Sequence, residues 1–219
     1  MTRTRIGRPS NPHLSHIDLR HNHEDFMSES SVDLGALLES SGAVLRGHFL
    51  LTSGRHSDVY FEKFRVLERP DVLSALCGEI ARQVAGGSKF DLVAGPTTGG
   101  IIIAFEVARQ MGLPALYVES ESGEKKLRRG AQIQPGARVL VVDDVLTTGK
   151  SVFEVIDVVR AAGGEPAGVG VLIDRAETPP SFGVPYFAAY KVEAQSYAAD
   201  AVPEWLEKVP ITKPGTRPV

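Results

Sequence analysis

From Phe90 to Asp174 the chain alternates two kinds of apolar pattern. Short unbroken apolar runs are followed by small or polar residues, and then by segments whose apolar positions fall three and four apart. An unbroken run suits a strand covered on both faces, and the three-and-four spacing suits a helix with one buried face. This reading predicts strands at Phe90 to Ala94, Ala115 to Val118, Val139 to Val142 and Val169 to Asp174. It predicts helices from Pro70, carrying Leu73, Leu76, Cys77, Ile80 and Val84 and closed by Gly86-Gly87, and from Ile101 to Met111, ended by Gly112. A third helix carries Val152, Val155, Ile156 and Val159 and stops at Gly163-Gly164. Strand–helix alternation of this kind is the mark of an α/β fold with a doubly wound parallel sheet, helices on both faces.

The flanks are less regular. Asp33 to Glu39 reads as a short helix with Leu34, Leu37 and Leu38 inward. Phe49 to Leu51 and Val59 to Phe64 read as strands around the polar turn Thr52 to Ser57. Glu119 to Ala131 is polar and charged, too long for a tight turn and without apolar periodicity, so it is expected to be a loop. Tyr186 to Val192 is a late strand and Val202 to Val209 a terminal amphipathic helix.

Composition narrows the class. At 219 residues, 42% apolar and 23% charged, the chain suits one globular domain with a small subdomain. A formal net charge of −3 gives no electrostatic case for nucleic-acid binding. No apolar run approaches the length of a membrane helix, and the single Cys77 fits a reducing cytoplasm. Cys77 lies in register with Leu73, Ile80 and Val84, so it reads as a core thiol. Residues 1–30, with Arg3, Arg5, Arg8, Pro9, Pro12 and His13, His16, His21 and His23, contain few apolar residues and are expected to form a disordered extension. No secretory signal is present in them, and Met27-Ser28-Glu29-Ser30 reads as a natural start. Residues 31–219 are then one domain.

The chemistry concentrates after the strand Val139 to Val142. Asp143 and Asp144 fall at its carboxyl end, where open α/β sheets bind ligands. Val145, Leu146, Thr147, Thr148, Gly149, Lys150 and Ser151 lead into a helix. Backbone N–H groups and hydroxyls at such a helix start suit a phosphate monoester, and ionised aspartates accept from vicinal hydroxyls. A sugar diol beside a sugar phosphate satisfies both. A P-loop is excluded, because only Gly149-Lys150-Ser151 matches its pattern, and no Gly-x-Gly-x-x-Gly follows the strand. Gly95-Pro96-Thr97-Thr98-Gly99-Gly100 is a second loop between strand and helix whose N–H groups can face an anion.

The run Val139 to Ser151 closely resembles the phosphoribosyl-diphosphate signature of the type I phosphoribosyltransferases. The Gly95–Gly100 loop stands where that family keeps its pyrophosphate loop, which includes Thr98 and Gly99. Within the family the resemblance is greatest to the members that act on orotate. It rests on Gly47 to Ser57, with its Leu51-Thr52-Ser53-Gly54-Arg55-His56-Ser57 core, and on Asp174-Arg175 at a strand end. The resemblance implies transfer of a phosphoribosyl group from phosphoribosyl diphosphate to orotate. Asp143 and Asp144 would hold the ribose hydroxyls, and Thr147, Thr148, Gly149 and Ser151 the 5′-phosphate. Arg175 would meet the orotate carboxylate, with Tyr60 and Phe61 about the ring. It also implies a small hood from residues 43–64 and 175–192, and Mg²⁺ bound mainly through the substrate diphosphate, with no protein metal cage. A homodimer follows too, with the 119–130 loop bringing Lys125 or Lys126 into a shared site. The chain departs from many relatives in having Glu119-Ser120-Glu121 at the loop start, Thr52 in the hood and Thr98-Gly99 in the pyrophosphate loop, each a place where relatives carry a cation. Two alternatives stand beside this reading: transfer to another base, and a noncatalytic nucleotide-sensing regulator on the same fold.

Overall fold

The computed structural model describes residues 32–51, 53–87, 89–121, 123–192 and 195–213; the expected extension over 1–30 lies outside them. Helix α1 (Leu34–Ser40) begins where the Asp33 carboxylate accepts the Ala36 N–H at 3.0 Å. Strands β1 (Val44–Leu50) and β2 (His56–Phe61) pair antiparallel. β1 starts five residues before the predicted Phe49, because an irregularity between Arg46 and Phe49 breaks the alternation that would have revealed it. The chain then turns into α2 (Lys63–Leu67) where a strand to Phe64 was expected, with the Glu62 carboxylate accepting the Phe64 N–H.

Next come α3 (Pro70–Ala85), β3 (Leu92–Pro96), α4 (Gly99–Met111), β4 (Ala115–Glu121), β5 (Glu124–Lys126), β6 (Arg138–Leu146), α5 (Lys150–Ala161), β7 (Glu165–Asp174) and β8 (Tyr186–Lys191). Strands β3, β4, β6, β7 and β8 run parallel in a six-stranded sheet of order β5-β4-β3-β6-β7-β8, with β5 antiparallel at one edge. Alternate residues of β6 feed opposite faces. Leu140 and Val142 join Leu73, Leu76, Ile80, Ile103 and Val107 of α3 and α4. Val139 and Val141 join Val152, Val155, Ile156 and Val159 of α5. These side chains are essentially inaccessible, and each contributes about 1.5–3 kcal/mol by leaving water. Cys77 is part of the first cluster, and burial pushes its thiol well above the usual range.

Three segments differ from the sequence reading. The 119–131 stretch is not an open loop over its first half: β4 continues to Glu121, and β5 returns through a turn at Gly123, φ +86°. Its side chains are nearly all polar, so no apolar alternation marks the strands. Its early carboxylates are matched from within the segment, Glu119 by Arg129 at 2.9 Å and Glu121 by Arg128 at 3.4 Å. The terminal helix is a single turn, α6 (Glu204–Glu207), because the chain leaves it at once for β10 (Ile211–Thr212), parallel to β1. The second sheet has the order β10-β1-β2-β9, with β9 being Ser196–Tyr197. Residues 186–191, expected in the hood, instead form an edge of the main sheet, because Tyr186 and Ala188 pack on one core and Phe187, Ala189 and Tyr190 on the other.

Helices α3 and α4 are locked by one carboxylate. Glu106 accepts from Ser74 Oγ at 2.6 Å, from Gln110 Nε2 at 2.8 Å and from the Arg109 fork at 2.8 Å. The Arg109 fork, opposed by burial and aided by Ser74 and Gln110, holds this carboxyl at about 2, against an ordinary 4.5. A depressed folded value means the network stabilises above the ordinary value and fades as pH falls from about 4.5 toward about 2. Glu106→Gln should therefore cost about 1.5 kcal/mol at neutral pH, or roughly 3–6 °C in melting temperature. The gap to the parent should narrow on acidification, as thermal melts at pH 7 and pH 3 would report.

Candidate active site

The carboxyl ends of β3 and β6 meet over an open cleft of about 260 Å³, lined by Lys63, Phe64, Thr97, Thr98, Gly99, Lys125, Asp143, Asp144 and Ser151 among others. This brings together residues from both loops singled out in the sequence. Asp143 is buried at 5% exposure. Its Oδ1 accepts the Asp144 N–H at 2.8 Å, and its other oxygen accepts a short hydrogen bond from Ser151 Oγ. Burial pushes the Asp143 carboxyl upward, the neighbouring Asp144 adds to this, and Ser151 works against it. Asp144 accepts the Val145 N–H at 2.7 Å on Oδ1 and Lys63 Nζ at 2.8 Å on Oδ2.

The two loops need their glycines. Gly149, the residue before α5, has φ +76°, and a β-carbon there would lie 2.9 Å from Pro180 Cγ. A β-carbon on Gly99 would lie 2.5 Å from the Asp144 carboxylate. Glycine thus lets the 97–100 loop close against the acidic pair. The peptide Thr97–Thr98 in that loop is cis. Thr147, Thr148 and Lys150 are exposed at the start of α5, and Lys150 leans toward Glu154 at 3.8 Å rather than into the cleft. The Val145 side chain is half-buried against one core cluster, and that of Leu146 is buried in the other.

Arg175 follows the last residue of β7 and is anchored by its N–H to Leu146 O at 2.9 Å. Its guanidinium forms no ion pair among the described residues, and its buried Nε has no hydrogen-bond partner there. Burial holds it below the usual arginine range, with Tyr60 opposing. Tyr60 is pushed up by burial and Glu62 and pulled down by Arg175 and Lys63, so these groups share one neighbourhood. Phe61, expected beside the ring, is instead a core residue at 5% exposure, because strand alternation turns it to the opposite face of β2.

The hairpin separates the two lysines. Lys125 lines the cleft, whereas Lys126 is exposed and paired with Glu124 at 2.8 Å. Lys125 reaches the cleft of its own chain, where the resemblance implied that the loop would serve a neighbour. Lys63 is the residue that sequence reasoning missed. Burial opposes its charge, but the Asp144 hydrogen bond and the nearby carboxylates raise it above the usual lysine range. No spacing rule signals it; only the turn into α2 brings it over the cleft.

The fold agrees with comparison to known proteins. Residues 68–182 match the model of the phosphoribosyl transferase domain. The orotate phosphoribosyltransferase of Pelotomaculum thermopropionicum is 46% identical over 187 residues, covering 85% of this chain and 98% of that protein. That of Caldanaerobacter subterraneus is 44% identical over 181 residues, 83% of this chain and 95% of its own length. The crystal structure of orotate phosphoribosyltransferase from Aeropyrum pernix superposes with a TM-score of 0.61 at 32% identity, covering 73% of this chain and 94% of that one. With a domain model spanning half its length and such identity over nearly all of its relatives, this chain belongs to the orotate phosphoribosyltransferase family.

Proposed function

We propose that this chain joins orotate to the 5-phosphoribosyl group of phosphoribosyl diphosphate, giving orotidine 5′-phosphate and pyrophosphate for pyrimidine nucleotide synthesis. A ring nitrogen of orotate attacks the anomeric carbon of the ribose as the bond from that carbon to the diphosphate oxygen breaks. The bonding pair leaves with pyrophosphate, and the proton of the ring N–H passes to pyrophosphate or water. The observation that carries the base assignment is Arg175, a half-buried cation without a carboxylate of its own. A planar fork matches the orotate carboxylate, and a base lacking that group would leave the cation unpaired. Asp143 and Asp144 accept from the ribose hydroxyls, and Thr147, Thr148, Gly149 and Ser151 enclose the 5′-phosphate. The 97–100 loop, with Thr98 and Gly99, lies against the diphosphate, and Lys125 offsets the negative charge that grows on it as it leaves. Tyr60 flanks the base.

Among the described residues no three metal-ligating side chains cluster. The cleft's acid groups are Asp143 and Asp144, a donor set that fits Mg²⁺ held mainly by diphosphate oxygens and water. When bound, it neutralises diphosphate charge. A homodimer is supported by Ile102 and Phe105, large apolar side chains 44% and 63% exposed, three apart on α4. A cytoplasmic setting is supported by the unpaired Cys77; no helix among the described residues is long and apolar enough to cross a membrane. The pairing of Glu119 and Glu121 with Arg129 and Arg128 argues for the enzyme over a regulator, since the loop's early acids are already neutralised.

The test is a panel of orotate, uracil, hypoxanthine and adenine with phosphoribosyl diphosphate and Mg²⁺. Orotate should be converted, and uracil, which lacks the carboxylate, at least about 100-fold more slowly. Preference for a purine would overturn the base assignment, and no turnover with any base would favour the regulator.

A further inference from the structure

Lys63 occupies a position that the proposed roles leave unexplained. It stands one turn before Leu67 on α2, so the two side chains share a face of that helix. Leu67 packs at the Gly99 loop, its Cδ1 3.4 Å from where a Gly99 β-carbon would be. That contact fixes α2 above the loop and aims Lys63 at Asp144, whose Oδ2 it meets at 2.8 Å. The missing Gly99 side chain leaves room for this, because a β-carbon would crowd the same carboxylate oxygen at 2.5 Å. Lys63 and Lys125 are the cations among the residues lining the cleft. Lys150, at the start of α5, leans toward Glu154.

Asp144 already receives one donor on each oxygen in this arrangement. One oxygen accepts the Val145 N–H and the other accepts Lys63. A ribose hydroxyl that takes this carboxylate must share with Lys63 or displace it. The Lys63 side chain is 42% exposed, and an ion pair so open to water is readily exchanged. Its flexible stem then leaves the ammonium in a cleft bounded by Thr98 and Gly99, facing whatever anion lies there.

We propose that Lys63 is a second cation for the diphosphate of phosphoribosyl diphosphate: it neutralises Asp144 in the free protein and turns to the diphosphate when the ribose hydroxyls take that carboxylate. This rests on the phosphoribosyl-transfer reading above. It differs from a purely structural ion pair in the sign of its effect. A lysine that only screens Asp144 competes with the sugar, and its removal would tighten substrate binding.

The experiment compares Lys63→Met and Lys63→Arg with the parent, by calorimetric titration of inorganic pyrophosphate and phosphoribosyl diphosphate in Mg²⁺ and by steady-state kinetics. Methionine keeps the apolar stem over the loop, and thermal melts report whether the fold is retained. Lys63→Met should weaken phosphoribosyl diphosphate binding and raise its KM by roughly 10- to 100-fold. It should change the binding of inorganic pyrophosphate, which brings no ribose hydroxyl to Asp144, and the KM for orotate by no more than about twofold. Lys63→Arg should recover most of the loss. Unchanged or tighter phosphoribosyl diphosphate binding in a folded Lys63→Met protein overturns the role while leaving the transfer reading intact. A parent protein that binds no phosphoribosyl diphosphate removes that reading and this one together.

Discussion

Asp143→Asn combined with Asp144→Asn should lower orotidine 5′-phosphate formation by more than about 1000-fold, given that one transition-state contact is worth ~100- to 1000-fold. Both side chains line the cleft at the end of β6, and their backbone strand is held by apolar neighbours on both faces. The loss therefore falls on ligand contacts and not on the core. The Asp143→Asn single change should in addition raise the melting temperature at neutral pH. Burial and Asp144 disfavour the charged form of Asp143 in the folded chain, so its folded value lies above the ordinary 3.8. The folded state then holds its proton more tightly than the unfolded state, and stability is lost as pH rises from about 3.8 through the folded value. Asparagine removes that penalty, and the Ser151 hydroxyl can rotate to accept from the new amide. The advantage over the parent should be largest at pH 7 and vanish near pH 3. A double variant with near-normal turnover would overturn the phosphoribosyl assignment, and an Asp143→Asn protein that melts well below the parent would show that the charge is structural.

The proposed chemical role and the stability cost together explain why this part of the candidate site was legible in the sequence. Val139 to Val142 read as a buried strand because they are one, and acids directly after it have no packing reason to be there. Gly149, Thr147 and Thr148 were legible for the same reason, as a break that only a turn into a helix explains. Arg175 was legible only through the family resemblance, as the arginine of the Asp174-Arg175 pair at a strand end. Lys63 was not legible: α2 has five residues, too few for periodicity, and the partner that gives Lys63 a role lies 81 positions away. Phe61 was misread because β2 is short and its inward face shows only once the core with Leu38 and Val66 forms around it. β9 and β10 have two residues each, and they pair through backbone groups that carry no side-chain signal. The β4–β5 hairpin is formed by charged residues whose cross-strand partners, Glu119 with Lys126 and Ser120 with Lys125, look like an ordinary solvated stretch until the register is known.

That register separates the two loop lysines. Lys125→Ala should lower kcat by ~100- to 1000-fold, the ~2.7–4 kcal/mol typical of a removed contact to developing charge, while Lys126→Ala should change it by no more than about threefold. Strand alternation turns Lys125 into the cleft beside Asp143 and Asp144 and leaves Lys126 outside, paired with Glu124; an exposed pair of this kind contributes about 0–1 kcal/mol. The Lys125→Ala defect should appear in kcat and not in the KM for orotate, since the cation meets the leaving group and not the base. Mixing Lys125→Ala with Arg175→Ala protein then reports which chain each lysine serves. With the hairpin paired to β4 as it is here, Lys125 serves its own cleft, every mixed dimer carries one defect in each site, and no activity returns. Recovery on mixing would mean that the hairpin crosses to the partner subunit when substrate binds, completing one site from two chains. Equal, mild effects of both changes would instead leave the leaving group without a hairpin lysine and pass its charge to Lys63.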